Sequence, residues 1–274
     1  MDNQGMISIV IRVSSDAEGL LDLVASILPQ LGRRDEILIA LEAVGGPAEP
    51  RPDAPQPRVN PHDIARDVAH EIARQAPFVR VFDGGDGNST SIYEQAISAC
   101  KGDYIFLAEP GDLWTPSKIA DMRGAFAASE SILVLHDAEI LDSERQLVAP
   151  SMLALHGDTT MISENLIRDS YVGSCLAFMA PLRELALPFP PAPVRHDQWL
   201  GLVAERFGGV ALITKPLIRK ILEPSDGADL IPIGFLGGRD EQRRLFKILK
   251  QREREFKATL RKMKKMGISG EPED

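Results

Sequence analysis

Apolar residues fall into short runs that alternate with amphipathic stretches. Ile7 to Val13 (ISIVIRV) is β-branched and continuous, the pattern of a buried strand. Ser14, Ser15 and Asp16 then offer helix caps, and Leu20, Leu21, Val24, Ile27, Leu28 and Leu31 recur at helical spacing. Glu36 to Leu41 (EILIAL) predicts a second strand, and strand, helix, strand is the signature of a right-handed βαβ unit. Further on the pattern predicts a short helix through Ile64, Val68 and Ile72, a strand over Phe78 to Phe82 and a helix over Thr90 to Cys100. A strand over Tyr104 to Ala108 follows. Thr115 and Pro116 read as the N-cap and first residue of a helix with Ile119, Met122 and Phe126 on one face, and Ile132 to Leu135 as another strand. This alternation predicts an α/β fold with a mostly parallel central sheet flanked by helices. The second half is less regular, its main elements being Ser170 to Ala180, His196 to Phe207 and Val210 to Ile218.

Ligands of such sheets bind outside the carboxyl ends of the strands. Polar clusters follow the predicted strands at Ser14 to Asp16, Asp83 to Asn88, Glu109 to Asp112 and His136-Asp137, so these ends are expected to share one rim. The prolines between residues 45 and 61 preclude a regular element there and predict a surface loop.

Composition narrows the classes. With 44% apolar and 26% charged residues the chain reads as globular rather than disordered. The longest stretch without Asp, Glu, Lys or Arg, Ser170 to Leu182, is too short to span a bilayer. The first residues lack a signal-peptide pattern, which predicts a cytoplasmic protein. Two cysteines are too few for a disulfide scaffold, and the five histidines never adopt a zinc-ligand spacing. No Gly-x-Ser-x-Gly elbow or P-loop is present; the glycines of Asp83 to Ser89 read either as a connecting loop or as a phosphate-facing turn. The net charge of −9 argues against nucleic acid as partner.

Four segments resemble, in order and spacing, glycosyltransferase family 2 enzymes of the A-type nucleotide-sugar transferase fold, and most of all their rhamnosyltransferase-like members. They are ISIVIRVSS, KGDYIFLAEPGDLWTPSKI, YVGSCLAFMAPLRELALPFP and HDQWLGLVAERFGGVALITKPLI, together spanning residues 6 to 222. The resemblance implies a catalytic domain over residues 1–230. It implies transfer of a sugar from a nucleoside-diphosphate donor to a saccharide or lipid-linked acceptor, inverting and metal-assisted, in cell-surface polysaccharide or glycoconjugate synthesis. Glu109 and Asp112 would hold a divalent cation (Mg²⁺ or Mn²⁺) that neutralises the departing diphosphate, carboxylates being ligands for hard cations. Asp197 would be the base that activates the acceptor hydroxyl. Val13, Ser15 and Glu42 would line the nucleoside site, with Asp137, His196 and Trp199 near the sugar or acceptor. The plainer readings are a helix cap for Asp112 or Asp197 and a turn for Asp137.

The sequence also departs from the family pattern. Ala40-Leu41-Glu42-Ala43-Val44 stands where relatives carry Asp-Asp-Gly-Ser, and Glu109-Pro110-Gly111-Asp112 replaces Asp-x-Asp-Asp. Lys220-Ile221-Leu222-Glu223 replaces Tyr-Arg-x-His, leaving Glu223 as the substitute metal ligand or as an ordinary strand-end residue. These changes support an alternative, a catalytically degenerate member serving as a binding or scaffolding module.

From Arg239 to Lys265 there are twelve Lys or Arg against four Asp or Glu. Leu245, Leu249, Phe256, Leu260 and Met263 give this segment an apolar seam, predicting a C-terminal basic amphipathic helix over residues 239–266 and a disordered tail over 267–274. Such a helix either lies on an anionic membrane surface, making the protein peripheral at its inner face, or docks on the body or pairs with a second copy; the seam favours protein packing.

Overall fold

A computed structural model describes residues 5–42, 60–84, 89–156, 171–190 and 195–221, and in the basic segment residues 247, 250, 251, 254 and 257. Most of the proline-rich loop, Glu223, the glycines after Gly84, most of the basic segment and the 267–274 tail lie outside the described residues.

The strands are β1 (Ile7–Val13), β2 (Glu36–Leu41), β3 (Val79–Asp83), β4 (Tyr104–Ala108), β5 (Asp112–Trp114), β6 (Leu133–Leu141), β7 (Leu147–Ala149), β8 (Leu176–Met179) and β9 (Val210–Ile221). They form one sheet in the order β3-β2-β1-β4-β8-β6-β9-β5, with β7 on β6. β1 pairs parallel with β2 and β4, and β2 parallel with β3. This is the expected α/β architecture, its N-terminal half wholly parallel. β8 then runs antiparallel to both β4 and β6 and joins the two halves. The helices are α1 (Ala17–Ile27), α2 (Pro61–Gln75), α3 (Ser89–Ser98), α4 (Lys118–Ala128), α5 (Met152–His156), α6 (Ala180–Ala186) and α7 (His196–Phe207).

Central strands β1, β2 and β4 bury almost every side chain, as strands covered on both faces must. α1 begins at Asp16, whose carboxylate accepts from the Gly19 amide. A polar staple closes the sheet at the end opposite the strand tips. Glu36 accepts from Ser8 Oγ (2.7 Å), the Lys101 amide (2.7 Å) and Arg80 (2.8 Å), while Ser8 Oγ accepts from the Gly102 amide.

Three details differ from expectation. Thr115-Pro116 does not start α4: Asp112 to Trp114 form a short strand, and the helix begins at Lys118 after Ser117. Asp137 does not follow β6 but lies inside it, because β9 carries extra residues around Thr214 to Leu217 and the register shifts there. β9 likewise runs on past Ile218, to Ile221, and pairs antiparallel with β5. Cys100 and Cys175 are free and buried.

Candidate active site

The site assembles at the carboxyl ends of β1, β2 and β4. Arg12 is the penultimate residue of β1, Glu42 follows β2 and Glu109 follows β4. The parallel register brings the three together. Arg12 donates from Nη1 to Glu42 Oε1 (2.9 Å) and from Nη2 and Nε to Glu109 Oε1 (2.7 and 3.1 Å). Tyr93 of α3 donates its hydroxyl to the same Glu109 oxygen at 3.4 Å.

The turn after β4 adds the second carboxylate. Gly111 has φ 86°, a conformation glycine adopts without a Cβ penalty, and its carbonyl accepts from the Ile221 amide at the end of β9 (2.8 Å). This docking pairs Asp112 with Lys220 across β5 and β9. Lys220 Nζ lies 3.2 Å from Asp112 Oδ1 and 3.5 Å from Glu109 Oε2, and Asp112 Oδ2 accepts from the Glu109 amide at 3.2 Å. Asp112 is fully buried. Burial works against the Glu109 charge, but Lys220 and Arg12 outweigh it and hold the carboxyl below its ordinary range. Asp112 is pushed up, by burial first and by Glu109, against the pull of Lys220. Lys220 is raised despite burial, because Asp112 and Glu109 favour its charge.

A buried cation stands behind this rim. Lys118 Nζ donates to the Ser174 carbonyl (2.9 Å) and sits 4.1 Å from the centre of the Trp114 ring. Burial pushes its pKa down to about 8.

α7 supplies the other side. The His196 ring stacks on Tyr93 with centroids 3.9 Å apart, which ties α7 to the Glu109 rim. His196 is pushed down by burial, and its Nε2 has no hydrogen-bond partner among the described residues. Asp197 is 1% exposed and accepts four hydrogen bonds. Oδ1 takes Arg195 Nε (3.1 Å) and the Gln198 amide (2.9 Å), while Oδ2 takes Arg195 Nη2 (2.6 Å) and the Gly173 amide (3.1 Å). Burial opposes the Asp197 charge, yet the carboxyl lies below its ordinary value because the cationic form of His196 and the Arg195 guanidinium stabilise it. With His196 itself lowered, Arg195 is the partner that counts at neutral pH.

The structure thus joins Glu42, Glu109, Asp112 and His196 in one linked cluster, with Asp197 next to His196 at the start of α7. Other expected site residues stand apart. Trp199 has no exposed surface and donates its indole N–H to the Ala186 carbonyl, so it ties α7 to the end of α6 rather than lining a sugar pocket. The Val13 side chain is also fully buried; its carbonyl accepts from the Glu42 amide. Ser15 is exposed in the β1–α1 turn. Asp137 spends Oδ1 on the Ala138 and Leu153 amides and so anchors α5. Arg12, Tyr93, Lys118, Arg195 and Lys220 enter the site without having been expected there. Arg12 had one visible mark, a charge inside an otherwise apolar strand run.

The donor set fits a divalent cation poorly. All four carboxylate oxygens of Glu109 and Asp112 already accept from protein donors, two of them from Lys220. Among the described residues no group of three or more His, Cys, Asp or Glu converges as a metal cage. Hard divalent cations take six or more oxygen ligands.

No family model and no curated protein sequence matches the chain. Solved structures do match. Staphylococcus aureus TarS 1–349 in complex with UDP-GlcNAc superposes with a TM-score of 0.60 at 9% identity over 90% of this chain. The mannosyltransferase PcManGT from Pyrobaculum calidifontis, in complex with GDP-Man and Mn²⁺, gives 0.56 at 14% identity over 82% of this chain. The chain spans 66% of that TarS structure and 59% of the mannosyltransferase. The chain therefore has the fold of A-type glycosyltransferases.

Proposed function

We propose that the protein is a glycosyltransferase that moves a sugar from a nucleoside-diphosphate donor to an acceptor hydroxyl. The observation that carries this reading is the convergence of Arg12, Lys220, Glu109 and Asp112 outside the carboxyl ends of the strands, with Asp197 on the adjoining helix. Neighbours of this fold hold UDP-GlcNAc and GDP-Man, which supports a nucleotide sugar as donor. In this reading Arg12 and Lys220 at the rim receive the diphosphate, Glu42 faces the nucleoside, and Asp197 accepts the acceptor proton with inversion. The acceptor is a saccharide or lipid-linked glycan in cell-surface polysaccharide or glycoconjugate synthesis, and the motif pattern supports a rhamnosyltransferase-like subtype. The enzyme works in the cytoplasm, and contact of its basic segment with the inner face of the membrane is one of two alternatives, the other being packing on protein. Among the described residues no helix is long and apolar enough to cross a membrane.

Calorimetry with the common nucleoside diphosphates tests the donor, and a complete lack of binding with and without Mn²⁺ would remove this reading. Asp197→Asn is expected to keep nucleotide affinity within about twofold while lowering transfer by about 10²-fold or more, the usual worth of a general base. Unchanged turnover would take Asp197 out of that role.

A second reading, a binding or scaffolding module that has lost transfer, is favoured by one observation. The four acceptor positions of Asp197 are filled by Arg195, Gly173 and Gln198, so proton uptake requires Arg195 to turn away. Nucleotide binding without transfer to any glycan acceptor would select it.

A further inference from the structure

The role expected of a divalent ion already has an occupant. Asp112 and Lys220 face each other across antiparallel β5 and β9, so backbone register, not a flexible side-chain choice, brings the ammonium to the acids. Lys220 bridges Asp112 Oδ1 and Glu109 Oε2, the two carboxylates that would otherwise share a metal ion. Arg12 takes the remaining Glu109 oxygen through two N–H groups. Glu109 therefore holds two cations, one on each of its oxygens. Both cationic side chains keep partial exposure, 20% for Lys220 and 31% for Arg12, whereas Asp112 has none. Glu109 is likewise 22% exposed, so a ligand arriving at the strand ends meets both cations and this acid, while Asp112 stays covered.

We propose that Lys220 is the resident cation of this site: bridging Glu109 and Asp112, and flanked by Arg12, its ammonium meets the diphosphate of the donor in place of a divalent metal ion. The inference rests on the nucleotide-sugar reading. It assigns to Lys220 a phosphate-binding role, with Glu109 and Asp112 as the groups that hold it in position rather than as metal ligands. Fixed Lys and Arg groups aimed at diphosphate oxygens neutralise developing charge without reorganising, as a metal ion would. Arg suits a bidentate grip on phosphate, while Lys acts as a compact point charge.

Two measurements on the full chain test this. In the first, UDP and GDP are titrated into the protein in EDTA and again in Mn²⁺. Affinities within about twofold of each other are expected, and Lys220→Met should weaken binding in EDTA by about tenfold or more, the loss of one charge-assisted hydrogen bond. Lys220→Arg keeps the charge and should keep metal-independent binding. Wild-type binding that appears only with Mn²⁺, or an undiminished affinity in Lys220→Met, overturns the proposal while leaving the transferase reading in place. In the second, melting temperatures are followed in millimolar Mn²⁺ without nucleotide. Wild type should not shift, whereas Lys220→Met, with two acids left facing each other, should melt lower and recover with Mn²⁺ as ligand-linked stabilisation requires. A wild-type protein stabilised by Mn²⁺ overturns the proposal even where neither nucleotide binds, an outcome that would separately dismiss the transferase reading.

Discussion

Lys118 shows how a single buried charge leaves a signature in solution. Its amino group is fully enclosed, held by one carbonyl and one aromatic face, and burial pushes its pKa from 10.5 down to about 8. Between those values the unfolded chain binds more protons than the folded one, so stability rises with pH across that window. The expected slope is on the order of 1 kcal/mol per pH unit. Melting curves of wild type and Lys118→Met should diverge from pH 8 to 10, the variant lacking the rise. Parallel curves would mean that Lys118 is solvated in the folded protein. Asp197 sits at the opposite extreme, a buried carboxylate given more donors than it needs to stay charged. Its basicity depends on what Arg195 does when ligand is present, which makes Asp197→Asn informative about chemistry more than about folding.

Elements, not residues, fix where these groups meet. Gly102 lies at the end of the sheet opposite the rim, where a Cβ would come 2.5 Å from the Ser8 amide nitrogen and 2.8 Å from the Ile7 carbonyl carbon. Both are backbone atoms that cannot yield. Gly102→Ala should destabilise by about 2 kcal/mol or more and lower the melting temperature by several degrees. Because the rim is at the other end of β1 and β4, nucleotide affinity in the folded fraction should not change. An equal loss of affinity would mean that the staple at Glu36 governs the site. The same view explains what the sequence made legible. Strands β1, β2 and β4 were visible because continuous apolar runs leave no other place for them than a covered sheet. Glu109 and Asp112 stand just beyond such a run, but they and Asp197, in the first turn of a helix, were marked out by resemblance to the family pattern. Lys220 had no comparable mark. It belongs to a strand with Lys215 and Arg219 nearby, and only the pairing of β9 with a three-residue β5 decides which of these bases faces Asp112. Residue 137 was misplaced for a related reason: His-Asp looks like a strand end, whereas β6 runs on past it beside the bulge in β9 and both side chains bond nearby backbone.

At the scale of the whole molecule, charge is divided. The net −9 includes the strongly basic Arg239 to Lys265, so the rest of the chain is more acidic than the total suggests. Of that segment, Lys247, Lys250, Gln251, Arg254 and Lys257 are described, all helical and exposed. Their spacing puts the four bases on one helical stripe, the arrangement that an anionic surface attracts. The full chain is expected to sediment with vesicles containing phosphatidylserine at low salt, and not with phosphatidylcholine alone. Charge reversal through Lys250→Glu and Arg254→Glu should lower the bound fraction, and raised salt should do the same. Sedimentation indifferent to both would assign the segment to a protein partner or a second copy.

The two cysteines carry a practical consequence. Cys100 and Cys175 are both enclosed in the core, and burial pushes each thiol up to about 12, so neither offers a thiolate to reagents near neutral pH. A cysteine placed at an exposed position such as Ser15 would be the one reactive thiol on the native protein. A fluorophore there, beside the β1–α1 turn, would report ligand arrival without any background labelling to remove.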